Sequence, residues 1–231
     1  MPQSFETDLA AGAGEELRNK FLAPHSSSAL AVNSFGWFYH KTKSTPFQHL
    51  PSLELVGFEQ KFPTGLARAT APHLDVVFKG SDDLVAIESK CLEYLTPKQP
   101  KFSCRYRNQI IDERCNEAWY GEMVRLMEAS SAENRHLDIA QLIKHALGLS
   151  YRQSQDVTLI YFWWEPENWQ DFAVFVQHRA EVEKFASKVE GSGPRFQFQT
   201  YSEHWQRWSR GPDRQQAEHA RHLQARYSVT I

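Results

Sequence analysis

Cysteine is scarce in this chain: three residues, Cys91, Cys104 and Cys115, among 231. No two of them stand in a C-x-x-C pair, and three are too few for a disulfide framework, so a reducing, cytoplasmic setting is expected. Long apolar runs are missing too; none approaches the ~20 residues that a membrane-crossing helix needs. The first fourteen residues are acidic and carry no basic-then-apolar leader pattern, which argues against export. No Gly-rich phosphate loop occurs. An excess of one charge is absent as well: 26 Lys and Arg stand against 28 Asp and Glu, a net charge of −2. No global field therefore draws the chain to nucleic acid or to an anionic membrane, and any such contact must come from local patches. What is present is ordinary globular stock, 41% hydrophobic and 23% charged. A body of this length buries roughly 70% of the surface its unfolded chain exposes and needs no staple to fold.

The pattern along the chain alternates between periods. A short helical turn is expected at Glu15–Phe21. A helix then starts at Ser26-Ser27-Ser28, whose hydroxyls can accept from the unpaired amides of its first turn. Leu53–Glu59 reads as a strand, Leu74–Phe78 as a second and Leu84–Lys90 as a third. Gly80-Ser81-Asp82-Asp83 is a turn short enough to make the last two antiparallel. Helices are expected over Asp112–Glu128 and over Asp138–Leu147, the latter started by Asp138 and ended by Gly148. Val157–Trp163 is almost wholly apolar, the mark of a central strand covered on both faces. A long helical pattern from Phe172 stops at Gly191, Arg195–Thr200 alternates like a final strand, and helical pieces follow around Trp205 and over Gln215–Tyr227. The order predicts an α/β (α+β) fold, a mixed sheet flanked by helices.

Two strands expected to be half buried carry ionisable groups near their ends, Asp75 on one and Glu88 with Lys90 on its neighbour. Glu88 and Lys90 are two apart and share a strand face. If the hairpin register brings Asp75 beside Glu88, two carboxylates at ~4 Å repel by about 4 kcal/mol at an effective dielectric of ~20. A lysine offsets part of that, and a divalent cation more. Few, hard oxygen ligands suit Mg²⁺, which leaves its other positions to water and phosphate. The chemistry that follows is phosphodiester hydrolysis. Strand-end carboxylates paired with lysine are also common surface features, and spacing alone leaves both readings open. The apolar company, Leu74–Phe78 and Leu84–Ile87, favours a site.

Pro72-His73-Leu74-Asp75, followed by Glu88-Ser89-Lys90, resembles the PD-(D/E)xK nuclease superfamily, the restriction-endonuclease-like fold. Asp138 to Lys144 resembles the Q-x-x-K helix motif of several of its branches, through Gln141 and Lys144. The stretch Ser27–Asn33 and the strand ending Trp164-Glu165-Pro166 are similar to a bacterial restriction-endonuclease-like branch. The resemblance covers about residues 26–170. It implies an αβββαβ core there, a helical insertion over about 91–136 and a carboxy-terminal extension over about 171–231, all in one domain spanning 1–231. It implies a Mg²⁺-dependent nuclease, with Mn²⁺ as a substitute, an endonuclease rather than an exonuclease, acting on DNA or, by the same chemistry, RNA. A homodimer is compatible with it. Residue by residue, Asp75 and Glu88 are metal ligands, Ser89 gives a main-chain carbonyl ligand and Lys90 orients water and stabilises charge on phosphate. Gln141 and Lys144 contact phosphate or the attacking water. Pro72 stands three residues before Asp75 rather than directly before it, and the insertion is longer than in the simplest version of the fold. The alternative is a catalytically silent nucleic-acid- or protein-binding module of the same fold in a defence or repair system.

Further candidates each have a plainer reading. Glu59, closer than Glu54 to the loop leading to Asp75, is a possible third carboxylate at the metal. Lys98, Lys101, Arg105 and Arg107 interleave with Tyr94, Phe102 and Tyr106, suited either to nucleic acid or to an insertion with rings inward and charges outward. His219 and His222 at i, i+3 lack further zinc-type ligands nearby, so a solvated helix is expected. Cys91 beside Lys90 reads as a buried apolar thiol, and Trp205 and Trp208 as core anchors. For a nuclease with Asp75, Glu88 and Lys90 at its centre, Glu88→Ala or Lys90→Ala is expected to abolish cleavage while leaving the thermal transition near that of the wild type.

Overall fold

A computed structural model describes residues 7, 26–39, 41, 46–47, 50, 52–66, 70–108, 117–129, 134–151 and 155–231. Five strands, β1 (Glu54–Lys61), β2 (His73–Lys79), β3 (Asp83–Lys90), β4 (Asp156–Trp163) and β5 (Arg195–Thr200), form one sheet in that spatial order. β1–β2 and β2–β3 pair antiparallel, whereas β3–β4 and β4–β5 pair parallel. Among the described residues, six α-helices accompany it: α1 (Ser27–Phe35), α2 (Glu117–Glu128), α3 (Ile139–Ser150), α4 (Ala173–Val189), α5 (Tyr201–Ser209) and α6 (Arg214–Tyr227). None of the described helices is long and apolar enough to cross a membrane. The expected turn at Glu15–Phe21, the stretch Asp112–Asn116 and Cys115 lie outside the described residues.

The period-2 alternation of the strands sorts their side chains into two cores. Val77, Leu84, Ala86, Leu159 and Tyr161 join residues of α2, α3 and α4 on one face. Val76, Phe78, Val85, Ile87, Ile160 and Phe162 join residues of α1, α5 and α6 on the other. The sheet is thus sandwiched between two helical layers, and β3 and β4 are apolar on both sides for that reason. Helix α1 starts as expected, the Ser26 hydroxyl accepting from the Ala29 amide at 3.0 Å. Asp138 caps α3 by accepting from the Gln141 amide at 3.0 Å.

Gly148 does not end α3, which continues to Ser150. A Cβ there would lie 2.5 Å from the Phe62 carbonyl oxygen and 2.9 Å from Pro72 Cγ. The glycine therefore lets the helix press against the chain connecting β1 to β2, which also carries the entry to Asp75. Alanine usually strengthens a helix, but here its methyl must displace backbone. We expect Gly148→Ala to destabilise the fold by about 1–3 kcal/mol, the range for overpacking a tight site, read from urea unfolding midpoints.

Candidate active site

β2 and β3 pair through Val76 with Ile87 and Val77 with Ala86. The same register carried one step further sets Asp75 opposite Glu88, so the two carboxylates share a face. On the other side of β2, Phe58 faces Val76 and Gln60 faces Leu74, which sets Glu59 opposite Asp75. All three carboxylates line one cleft. Glu59 has φ +50°, a conformation rare for residues other than glycine, two residues beyond the register shift that β1 carries between Leu55 and Gly57.

Each carboxylate is held. Asp75 Oδ2 accepts from the Ser89 amide at 2.6 Å. Glu88 is 2% exposed, with Lys90 Nζ 2.5 Å from its Oε1 and His145 Nε2 2.8 Å from its Oε2. The imidazole contact is poorly aligned: both ring nitrogens of His145 are buried without a hydrogen-bond partner among the described residues. His73 Nδ1 lies 3.8 Å from Glu59 Oε2.

The electrostatics split the two acids. Burial alone would raise the Glu88 pKa, but Lys90 and His145 overcome it and hold the group at about 2. Burial, then Glu88, then Glu59 push Asp75 well above the usual carboxylate range, against the weaker pull of Lys90 and the Ser89 amide. Burial works against the charge of Lys90, yet Glu88 and Asp75 outweigh it and raise its pKa. The trio is no exposed strand-end pair. Removing one partner would strand a buried charge, which corrects the expectation that Glu88→Ala or Lys90→Ala leaves the thermal transition untouched.

Glu59, Asp75, Glu88, Lys90, Gln141 and Lys144 all line one open cleft of about 420 Å³, so six of the seven residues singled out from sequence come together. Ser89 is the exception in its side chain, which points to the opposite face, with its Oγ 2.7 Å from the Tyr201 hydroxyl. Its amide faces Asp75, and an extended residue turns its carbonyl to the same side, so the main chain still borders the site. Lys144 stands at the rim: its Nζ donates to the Lys101 carbonyl at 2.8 Å and lies 5.4 Å from the Phe102 ring centre, not on the carboxylates.

His145, Ser27 and Ser28 also line the cleft and were missed. His145 had a signal, since it stands four residues after Gln141 and so shares that face of α3. The serines carry a cap signal and part of the family resemblance, neither of which points to the cleft. The interleaved aromatics turn inward: Tyr94 and Tyr106 are buried, and Phe102 packs against the same core. Cys91 is buried, its thiol pushed up to about 12 by burial and then by Glu93. Trp205 and Trp208 are core residues. His219 is half-buried and stacks on Trp37, with ring centres 5.9 Å apart, rather than bracketing a metal with His222.

Among the described residues no group of three His, Cys, Asp or Glu side chains is arranged to hold a metal ion. The donors fit a hard dication of another kind, one that takes two carboxylates and fills its remaining positions with main-chain oxygen, water and phosphate. The repulsion that opposes ionisation of Asp75 is what such a cation would relieve.

A mixed sheet between helical layers, with acidic groups and a lysine at the adjoining ends of its β2–β3 hairpin, is a restriction-endonuclease-like α/β fold. Residues 1–228 match the model of the family described as Restriction Endonuclease associating with ARP, and the chain belongs to that family. No curated protein and no solved structure matches it significantly.

Proposed function

We propose that this chain is a Mg²⁺-dependent nuclease, with Mn²⁺ as a substitute, that hydrolyses DNA phosphodiester bonds within the strand. The observation that carries the reading is that Asp75, Glu88 and Lys90 line one cleft, with the Lys90 ammonium against Glu88. Asp75, Glu88 and the Ser89 carbonyl would hold the ion, and Glu59, which lines the same cleft, would be a further carboxylate near it. When bound, the ion supplies Lewis-acid polarisation of the phosphate and neutralises its charge. Lys90 places a fixed positive charge where negative charge grows on phosphate and orients the attacking water. Lys90 holds one oxygen of Glu88, and the His145 ring lies close to the other. Gln141 and Lys144 face the same cleft and are assigned to phosphate or water. Scarce cysteine and the buried Cys91 thiol support a cytoplasmic setting. The family's description names association with ARP, and we extend that association to this chain.

One observation favours the second reading, a catalytically silent binding module: Lys90, His145 and the Ser89 amide already engage the acids without any ion. Digestion of supercoiled, linear and single-stranded DNA, and of RNA, separates the two. Nicking of supercoiled DNA in Mg²⁺ that stops on adding EDTA is the expected result. No cleavage of any substrate in Mg²⁺ or Mn²⁺, together with no calorimetric binding of Mn²⁺, would overturn the nuclease reading. Cleavage of RNA alone would reassign the substrate.

A further inference from the structure

Beside the cleft runs a groove of about 480 Å³ between the loop at 98–101 and α3, lined by Lys98, Gln99, Lys101, Asn134, Asp138 and Lys144. We propose that this groove binds the phosphate backbone of the nucleic-acid strand whose scissile bond lies at Asp75 and Glu88, without reading its sequence. The inference rests on the nuclease reading for the strand's destination, but its own observations are separate.

The first is continuity. Lys144 lines both the cleft and the groove, so a strand leaving the carboxylates across that ammonium passes directly onto Lys101 and Lys98. The second is charge: three ammonium groups face one carboxylate, in a chain whose net charge is −2. The carboxylate, Asp138, is already occupied in capping α3 and lies 3.8 Å from Lys98 Nζ. Lys98 is half exposed, and a pair that open to water is readily exchanged for phosphate.

The third observation is rigidity. Lys98 and Arg135 exchange backbone hydrogen bonds of 2.7 and 2.9 Å, and Lys144 ties the Lys101 carbonyl to α3. The walls are already ordered, so binding pays little to arrange them. The fourth observation decides what is recognised. The rings nearest the groove are not free to stack, because Tyr94 and Tyr106 are buried and Phe102 packs against the core beneath Lys144. Without a free ring no base stacks there, and the three ammonium groups are suited to phosphate, where contacts position a backbone without reading its sequence.

The test is fluorescence anisotropy of labelled DNA duplexes of two unrelated sequences, titrated with the full chain in EDTA over a range of KCl concentrations. Lys98→Ala/Lys101→Ala keeps the Lys101 carbonyl that Lys144 uses and removes two exposed ammonium groups. The double variant should flatten the slope of log affinity against log salt by about two, equally on both duplexes. An RNA duplex of the same length shows whether the backbone is that of DNA or of either polymer. An unchanged slope, a loss confined to one sequence, or no binding by the wild type overturns the inference. If the wild type cuts DNA in Mg²⁺ while the slope is unchanged, the groove assignment falls alone. If it cuts nothing while the slope falls by two, the nuclease reading falls and the groove stands.

Discussion

Lys90→Met is expected to abolish DNA cleavage and to lower the thermal midpoint by roughly 6–12 °C, the two losses having different origins. On the proposed mechanism activity falls by about 10²–10³ or more, because the charge assigned to the developing phosphate anion is removed. Stability falls because Glu88, 2% exposed, keeps only the misaligned imidazole of His145. Breaking a buried pair from one side costs about 3 kcal/mol, and a chain of this size loses ~2–4 °C per kcal/mol. Removing both charges separates the effects. Glu88→Gln/Lys90→Met leaves no stranded ion and should recover most of the lost midpoint while remaining inactive. Circular dichroism melts beside a plasmid-nicking assay read both quantities. A single variant that melts like the wild type would mean that the pair is not the buried unit described here. A double variant that cuts would remove these residues from the chemistry. His145→Ala belongs to the same argument with a smaller effect, about tenfold or more in metal affinity, as for other residues that orient a ligating carboxylate.

The hairpin at the heart of the site was legible because its information is local. Leu74–Phe78 and Leu84–Ile87 are apolar and β-branched, and the short turn at Gly80–Asp83 leaves little freedom of register. Given period 2, a shared face for Asp75 and Glu88 follows from counting, and both line the cleft. The Asp138 cap and the apolar stripe of α3 were legible on the same footing. What was not legible depends on a second element arriving from far along the chain. Gly148 looks like a helix end until the Phe62 carbonyl is placed against it. Spacing alone leaves Glu88 and Lys90 open to a surface reading as well as a site, and the approach of His145 from α3 to Glu88 lies beyond what the strand pattern can show. Tyr94 and Tyr106 suit a base-stacking surface as well as a core, and their packing with α3 and α4 decides it. Ser89 shows both sides of the division: its backbone borders the site as the motif implies, while its hydroxyl is spent on Tyr201 in the opposite core.

Asp75→Asn should move stability and function in opposite directions. In the folded chain this carboxyl ionises less readily than in the unfolded one, through burial and the nearby charges of Glu88 and Glu59. An acid raised in this way opposes folding wherever it must be ionised, that is, above its unfolded pKa of ~4. Asparagine is nearly isosteric, retains an oxygen for the Ser89 amide and removes the charge that its neighbours repel. At neutral pH and without divalent metal, the variant should gain on the order of 1 kcal/mol, a rise of ~2–4 °C in midpoint. Adding Mg²⁺ or Mn²⁺ should then raise the midpoint of the wild type but not of the variant, since a ligand stabilises only the fold that binds it. Cleavage should be lost. The strain that Asp75 places on the metal-free fold would thus be retained for the ion it helps to hold, as stability is commonly given up at functional sites. A variant that melts below the wild type in EDTA would show that Asp75 is held by its contacts rather than crowded by like charge, and the case for a cation between these strands would lose its physical basis.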